Sequence, residues 1–151
     1  MYQRQNITRV KMYGGELDYK YRINNFLSVQ ANYSFNHSYI LQFSKKPALE
    51  GKMMKYSPKH QAFFGFTWKN KVFHSGFYGY YKSSQFLNDE NTIKTDGFVT
   101  FDFSLSKNFM HEKFTVQFSI KDLMDQRHIE TNEYLSPGRL VGLKMTYRFG
   151  N

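Results

Sequence analysis

The chain has 151 residues, no cysteine and a formal net charge of +9. That length bounds it to about one ordinary domain, and the lack of cysteine excludes disulfides and thiolate metal sites. Nucleic-acid binding is not expected, because Lys and Arg are scattered and form no run longer than a pair such as Lys45-Lys46, whereas nucleic-acid binders gather their charge on one element.

No stretch approaches the ~18–20 apolar residues of a transmembrane helix. The opening Met1-Tyr2-Gln3-Arg4-Gln5-Asn6 is polar and lacks the apolar core of a signal peptide. The dominant period is two, which places successive side chains on opposite faces of a strand. A first strand is expected over 9–23, where Leu17, Tyr19, Tyr21 and Ile23 alternate with Glu16, Asp18, Lys20 and Arg22. A second covers 26–42, with Leu27, Val29, Ala31, Tyr33 and Phe35 against Ser28, Gln30, Asn32 and Ser34. In the third, 60–69, Ala62, Phe64, Phe66 and Trp68 share a face, but Phe63 interrupts the polar side. The fourth, 72–86, is aromatic on both sides, includes Gly76 and Gly79, and its faces are not assigned by pattern. The fifth (96–108), sixth (112–122) and seventh (139–149) alternate cleanly over 99–105, 114–120 and 141–149, and Asp102, Lys121, Lys144 and Arg148 fall on the polar side of these runs.

Short turns are expected at Asn24-Asn25, at Asn70 and over 108–112, and long polar connections over 44–59, 87–95 and 123–138. The chain holds 16 Phe and 12 Tyr, yet its mean hydropathy is −0.64. Polar on average but regularly aromatic is the composition of a strand set with one face in lipid and the other in a polar lumen. About ten residues tilted ~45° cover roughly 23 Å, close to the ~25 Å apolar band of such barrels. Tyr19, Tyr21, Tyr33, Trp68 and Tyr147 near strand ends suit interfacial girdles. The expected fold class is therefore all-β, with about seven antiparallel transmembrane β-barrel strands. A soluble β-sandwich is the alternative that composition leaves open. Bacterial barrels have an even strand number, start and end on the periplasmic side, and keep their long loops outside. Seven strands with the first running inwards imply a strand before Met1, and the missing signal segment points the same way.

Residues 114–147 read FTVQFSIKDLMDQRHIETNEYLSPGRLVGLKMTY. This resembles the terminal signature of TonB-dependent outer-membrane receptors, with an Asn-Leu-Phe-Asp-like corner at Asp122-Leu123-Met124-Asp125, then Tyr134 and Pro137-Gly138-Arg139. Here Asp122 replaces the usual Asn and Met124 the usual Phe, and Gly150-Asn151 follow Phe149, where such proteins tend to end. Met54-Lys55-Tyr56-Ser57-Pro58-Lys59-His60 and Tyr13-Gly14-Gly15-Glu16-Leu17-Asp18-Tyr19 resemble upstream segments of the same family, in the same order.

The resemblance implies that residues 1–151 are the last seven strands of a 22-stranded barrel, the plug domain and earlier strands lying outside this sequence. It implies a multi-pass protein of the Gram-negative outer membrane. Its partners would be outer-membrane lipid, the upstream barrel and plug, TonB through the N-terminal part, and a small-molecule ligand. The implied function is TonB-driven uptake of a scarce nutrient, a ferric siderophore or haem. Two other readings stand beside it: a small complete barrel with a structural or adhesion role, needing an eighth strand from residues 1–10, and a soluble β-sandwich binding module.

The histidines His37, His60, His74, His111 and His128 show no metal-ligand spacing, and no nucleophile elbow is present. No catalytic, metal or cofactor residue is expected, and no enzyme. Arg139, after Pro137-Gly138, is read first as part of a turn and second as a ligand or plug contact. Asp102, Gln117, Lys121, Lys144 and Arg148 are expected to face the plug. The basic members would steer an anionic siderophore or haem propionates.

Overall fold

The computed structural model describes residues 9–129 and 134–149, and in them the alternation resolves into a single open sheet. The strands are β1 (Arg9–Arg22), β2 (Leu27–Gln42), β3 (His60–Lys69), β4 (His74–Lys82), β5 (Gln85–Phe86), β6 (Lys94–Thr95), β7 (Phe98–Phe109), β8 (Phe114–Lys121) and β9 (Leu140–Tyr147). Seven of them form an antiparallel meander in the order β1-β2-β3-β4-β7-β8-β9, while β5 and β6 pair separately. The fourth expected strand is thus shorter than 72–86. It stops at Lys82, where the chain turns back across the sheet end: Ser83 N–H donates to the His60 carbonyl at 2.9 Å, and its hydroxyl accepts from His60 N–H at 3.1 Å.

Register aligns the apolar sets side by side. Leu27, Val29 and Ala31 stand opposite Trp68, Phe66 and Phe64, and Leu105 and Phe103 opposite Phe118 and Ile120. Phe118 and Ile120 in turn face Leu143 and Val141. The same pairing assigns the faces of β4. Phe77 and Tyr81 face Phe103 and Val99 on the apolar side, whereas Tyr78 and Tyr80 face Asp102 and Thr100 on the polar side. Gly79 explains the ambiguity in sequence. The Phe64 ring lies where a Cβ of residue 79 would stand, so the apolar face is continued there by a ring from the neighbouring strand. Phe64, Phe77 and Phe101 pack around it with centroids 5.7–6.3 Å apart.

The apolar face has no covering layer among the described residues. Leu17, Val141, Leu143 and Met145 are each 63–67% exposed, and Phe66 is 47% exposed. Soluble monomers rarely leave a contiguous apolar surface this broad. The β-sandwich alternative is therefore wrong, since a sandwich requires a second sheet packed on these side chains. Charge on this face is confined to its ends: Arg9 and Lys11 near the long connections, and Lys107 over the Phe109 ring near the short turns.

The short turns have local causes. Asn24 Oδ1 accepts from Phe26 and Leu27 N–H, each at 2.8 Å. Asn70 Oδ1 does the same for Val72 and Phe73, at 2.7 and 3.0 Å. Both are Asx turns, in which the side chain mimics a backbone acceptor. The third turn is different: Met110, His111 and Glu112 have φ of 52°, 53° and 70°, three successive left-handed residues that are not glycine. Such residues are uncommon, and nothing in the local sequence announces them. The eighth strand of the small-barrel alternative draws on residues 1–10. Residues 1–8 lie outside the described residues, as does the Gly150-Asn151 extension, and Arg9 and Val10 already belong to β1.

Gly79→Ala is expected to destabilise the chain by about 1–3 kcal/mol, because the new methyl must displace the Phe64 ring. Gly15→Ala, with nothing within 4 Å of the added Cβ, is the near-neutral control. Chemical denaturation of the two variants against the parent chain checks this.

Candidate functional site at the long-loop end

Three long connections gather at one end of the sheet: residues 43–59, 83–97 and 122–139. The first packs onto the polar side of β2. Ile40 is fully buried under Phe43 and Leu49, with Met54 against them. Met54 N–H donates to the Ser38 carbonyl at 3.1 Å, and Gly51 N–H to the Ile40 carbonyl at 2.8 Å. Ser57 Oγ lies 2.7 Å from Ser38 Oγ and accepts from Asn36 Nδ2 at 3.2 Å. This anchors the Met54–His60 motif, whose last residue begins β3.

The first and second connections are tied together. Asn91, itself left-handed at φ 59°, accepts from Met53 N–H at 2.7 Å and donates to the Met53 carbonyl at 2.8 Å. Tyr56 N–H donates to the Phe86 carbonyl at 2.8 Å. Lys55 and Asp89 form an ion pair at 3.0 Å, which at this exposure contributes little, about 0–1 kcal/mol.

The second and third connections enclose a cleft of about 670 Å³, lined in part by Ile93, Lys94, Phe98, Arg127, His128 and Leu135. Its floor is Phe98, 5% exposed, with the His128 ring stacked on it at 3.6 Å and 22°. Below it, on the polar face of the sheet, an aromatic column continues inwards. Tyr80 lies 6.0 Å from Phe98 and donates to Gln61 Oε1 at 2.9 Å, and Tyr78 stacks on Phe63 at 6.1 Å. The Phe63 that interrupts the expected polar pattern of β3 belongs to this column. Aromatic floor, two cations and an imidazole make a surface suited to a planar or anionic small molecule.

The terminal signature forms a clasp. Gly138, at φ 76°, lies against Asp125. Asp125 Oδ1 accepts from Arg139 N–H at 2.8 Å, and Arg139 Nη2 donates to the Leu123 carbonyl at 2.7 Å. The Asp-Leu-Met-Asp corner and Pro-Gly-Arg thereby grip each other, and β9 starts at the next residue, Leu140. Of the two expectations for Arg139, the structure shows the turn. At the head of the corner, Asp122 is 7% exposed, and neither carboxylate oxygen has a partner among the described residues. Its N–H donates to Asp102 Oδ1 at 2.9 Å.

The remaining sequence candidates are dispersed. Gln117 stands directly opposite Lys144, and alternation puts Asp102, Lys121 and Arg148 on the same face. Lys121 and Asp102 lie towards the long loops and Arg148 towards the short turns, so the set spans about 26 Å and converges on no single point. His74 begins β4 and His111 sits in the left-handed turn, both at the short-turn end. His37 and His60 are on the apolar face. Only His128 reaches the cleft. No group of three His, Asp or Glu among the described residues is placed to hold a metal.

One open antiparallel sheet, apolar on one face, polar on the other and loaded with loops at one end, is the wall of an outer-membrane-type barrel. The sequence model described as "TonB dependent receptor-like, beta-barrel" matches residues 1–123. The chain belongs to this family. The match stops just inside the corner motif, so the clasp lies almost wholly beyond it. No curated protein matches the chain in sequence. Among solved structures, the siderophore receptor PiuA from Acinetobacter baumannii superposes with TM-score 0.81 at 20% identity, over 91% of this chain and 22% of its own. The ferric citrate transporter FecA gives 0.78 at 21% identity, over 90% and 23%. The copper transporter OprC gives 0.75 at 18% identity, over 93% and 23%. The chain spans between a fifth and a quarter of the length of these relatives. The family consists of outer-membrane receptors and transporters rather than enzymes, working with a plug and with TonB.

Asp125→Ala and Arg139→Ala are each expected to cost about 1–3 kcal/mol, since each leaves a backbone group of the clasp without its partner. The double variant is expected to cost less than the sum, because both act on one contact set. A double-mutant cycle by chemical denaturation measures this.

Proposed function

We propose that this chain is the C-terminal portion of a TonB-dependent receptor barrel in the outer membrane of a Gram-negative bacterium. In this reading the plug and earlier strands come from the rest of the receptor. The exposed apolar face meets lipid, and the polar face looks into the lumen towards the plug. The observation that carries the reading is the placement of charge: the middle of the apolar face has none, Arg9 and Lys11 stand at one end and Lys107 at the other. An Arg or Lys at mid-membrane costs ~2–4 kcal/mol and nearly nothing at the interface. Tyr21, Trp68, Phe109 and Tyr147 then form the inner girdle, and Tyr33 and Tyr81 contribute to the outer one.

The cargo is a scarce nutrient, with a ferric siderophore or haem preferred. Two features support an anionic, partly aromatic cargo: the Phe98–His128 floor flanked by Lys94 and Arg127, and the basic residues along the polar face. PiuA and FecA, whose folds this chain shares, are a siderophore receptor and a ferric citrate transporter. OprC is a copper transporter, so the shared fold by itself does not choose the metal. The chain's part in this scheme is binding and enclosure, with no catalytic step.

Trp68 is the single tryptophan and lies on the apolar face, 51% exposed, at the short-turn end. In bilayers containing brominated lipid its fluorescence is expected to be strongly quenched; an unquenched Trp68 in a folded chain removes the membrane reading. In the whole receptor, reversing the charge of Lys121, Lys144 and Arg148 together is expected to weaken binding of ferric citrate, used as an anionic probe, by about tenfold or more at low salt. Binding that survives the reversal rejects the steering role.

A further inference from the structure

At the long-loop end of the apolar face, the β1–β2 hairpin continues beyond its neighbours. β2 pairs with β3 only as far as Phe35–His60, whereas β1 and β2 stay paired up to Arg9–Gln42. Where the extension begins, Gly15 leaves a notch. Nothing lies within 4 Å of its Cβ position, and Tyr13, Leu17, Tyr33 and Phe35 surround an open hollow of about 420 Å³. Its walls are apolar: Leu17 is 67% exposed, and the tyrosine rings stand beside it.

Polar groups collect around and above this hollow. The Tyr33 hydroxyl lies 2.7 Å from His60 Nδ1, and the His60 ring is 5.3 Å from Phe35. His37 sits between Tyr13 and Tyr39, at 5.0 and 5.7 Å. Lys11 stands opposite Tyr39 on the same face. Arg9, two residues earlier in β1, shares this side by alternation, so both cations at this end of the face lie beyond the notch. The mid-face below the notch offers hydrocarbon contact and no charge. The Tyr33–His60 pair flanks the hollow at the level of Gly15, and His37 and then Lys11 follow towards the long loops. None of these groups belongs to the cleft or to the clasp.

We infer that the Gly15 notch and the Lys11–His37–His60 cluster form a binding site for a membrane lipid whose phosphate head group leaves it net anionic. An acyl chain lies in the notch, the tyrosine hydroxyls and imidazoles meet the glycerol or sugar region, and Lys11 meets the phosphate. Charge selects the occupant: a lysine at a membrane surface favours an anionic lipid by about fivefold over a zwitterionic one. Shape fixes the depth, since the missing side chain of Gly15 opens the gap. The inference rests on the reading that this face meets lipid.

The test uses protein extracted in mild detergent and micelles doped with dioleoyl phosphatidylglycerol or dioleoyl phosphatidylcholine, with retained lipid counted by native mass spectrometry. The parent protein is expected to retain the phosphatidylglycerol about fivefold more. The double variant Arg9→Gln/Lys11→Gln is expected to bring the two lipids level. Gly15→Leu, which the empty space accommodates, is expected to lower retention of both. Equal retention by the parent protein, or an Arg9→Gln/Lys11→Gln variant that keeps the preference, overturns the site. Trp68 quenching, read at the opposite end of the sheet, separates the two failures. Quenching without lipid preference rejects this site alone, whereas an unquenched Trp68 rejects the membrane reading beneath it.

Discussion

Register is the constraint on which the rest of this structure depends. Each strand alternates with period two, so sliding one strand by a single residue would move its whole apolar set to the other face. The antiparallel ladders prevent that by matching Leu to Trp, Phe to Ile and Phe to Leu across six interfaces. With no second layer over the apolar face, backbone pairing replaces a buried core as the source of order. In hydrocarbon this is also the only way to satisfy N–H and C=O groups, because no water is available to them. The short Asx turns at Asn24 and Asn70 add to the same end, since each fixes where the next ladder starts.

The conventional buried core is small and lies at one end. Ile40, Phe43 and Leu49 form it on the polar side of β2, where the first long connection folds down onto the strand. That connection is joined to the second by Asn91 and Tyr56, and the second meets the third through Phe98 and His128. Long connections of this kind are free to diverge in sequence once a scaffold holds their ends. Here they hold one another as well. The cleft with its aromatic floor is a product of that mutual support rather than of the sheet.

Much of this was legible in the chain itself. Six of the seven long strands fall within two residues of the pattern-based bounds, because a face that must be uniformly apolar leaves a plain period-two record. The fourth strand did not, for two separate reasons. Its last residues leave the sheet to pair with Lys94–Thr95, and its apolar face is completed at Gly79 by a ring from β3, so the relevant side chain is 15 positions away in sequence. The left-handed turn at Met110–Glu112 carries no glycine or asparagine to announce it. At the site, Arg139 was recognised, but its partner atoms on Leu123 and Asp125 depend on how the loop folds back. Phe98 and His128 meet across 30 residues of chain, and neither residue alone signals the contact. The only trace was Phe63, an aromatic on the wrong side of an otherwise regular strand.

The two borders of the sheet share a polarity. β1 and β9 both run from the long-loop end towards the short turns, and each leaves one row of backbone groups without a ladder partner inside the sheet. Any segment that adds to either border in the same antiparallel fashion must ascend where they descend. A body bridging the two must therefore begin and end with ascending strands, and so contribute an odd number of them. A duplicate of this sheet inserted in the same sense offers only descending borders. The wall it belongs to has to be finished by something unlike itself.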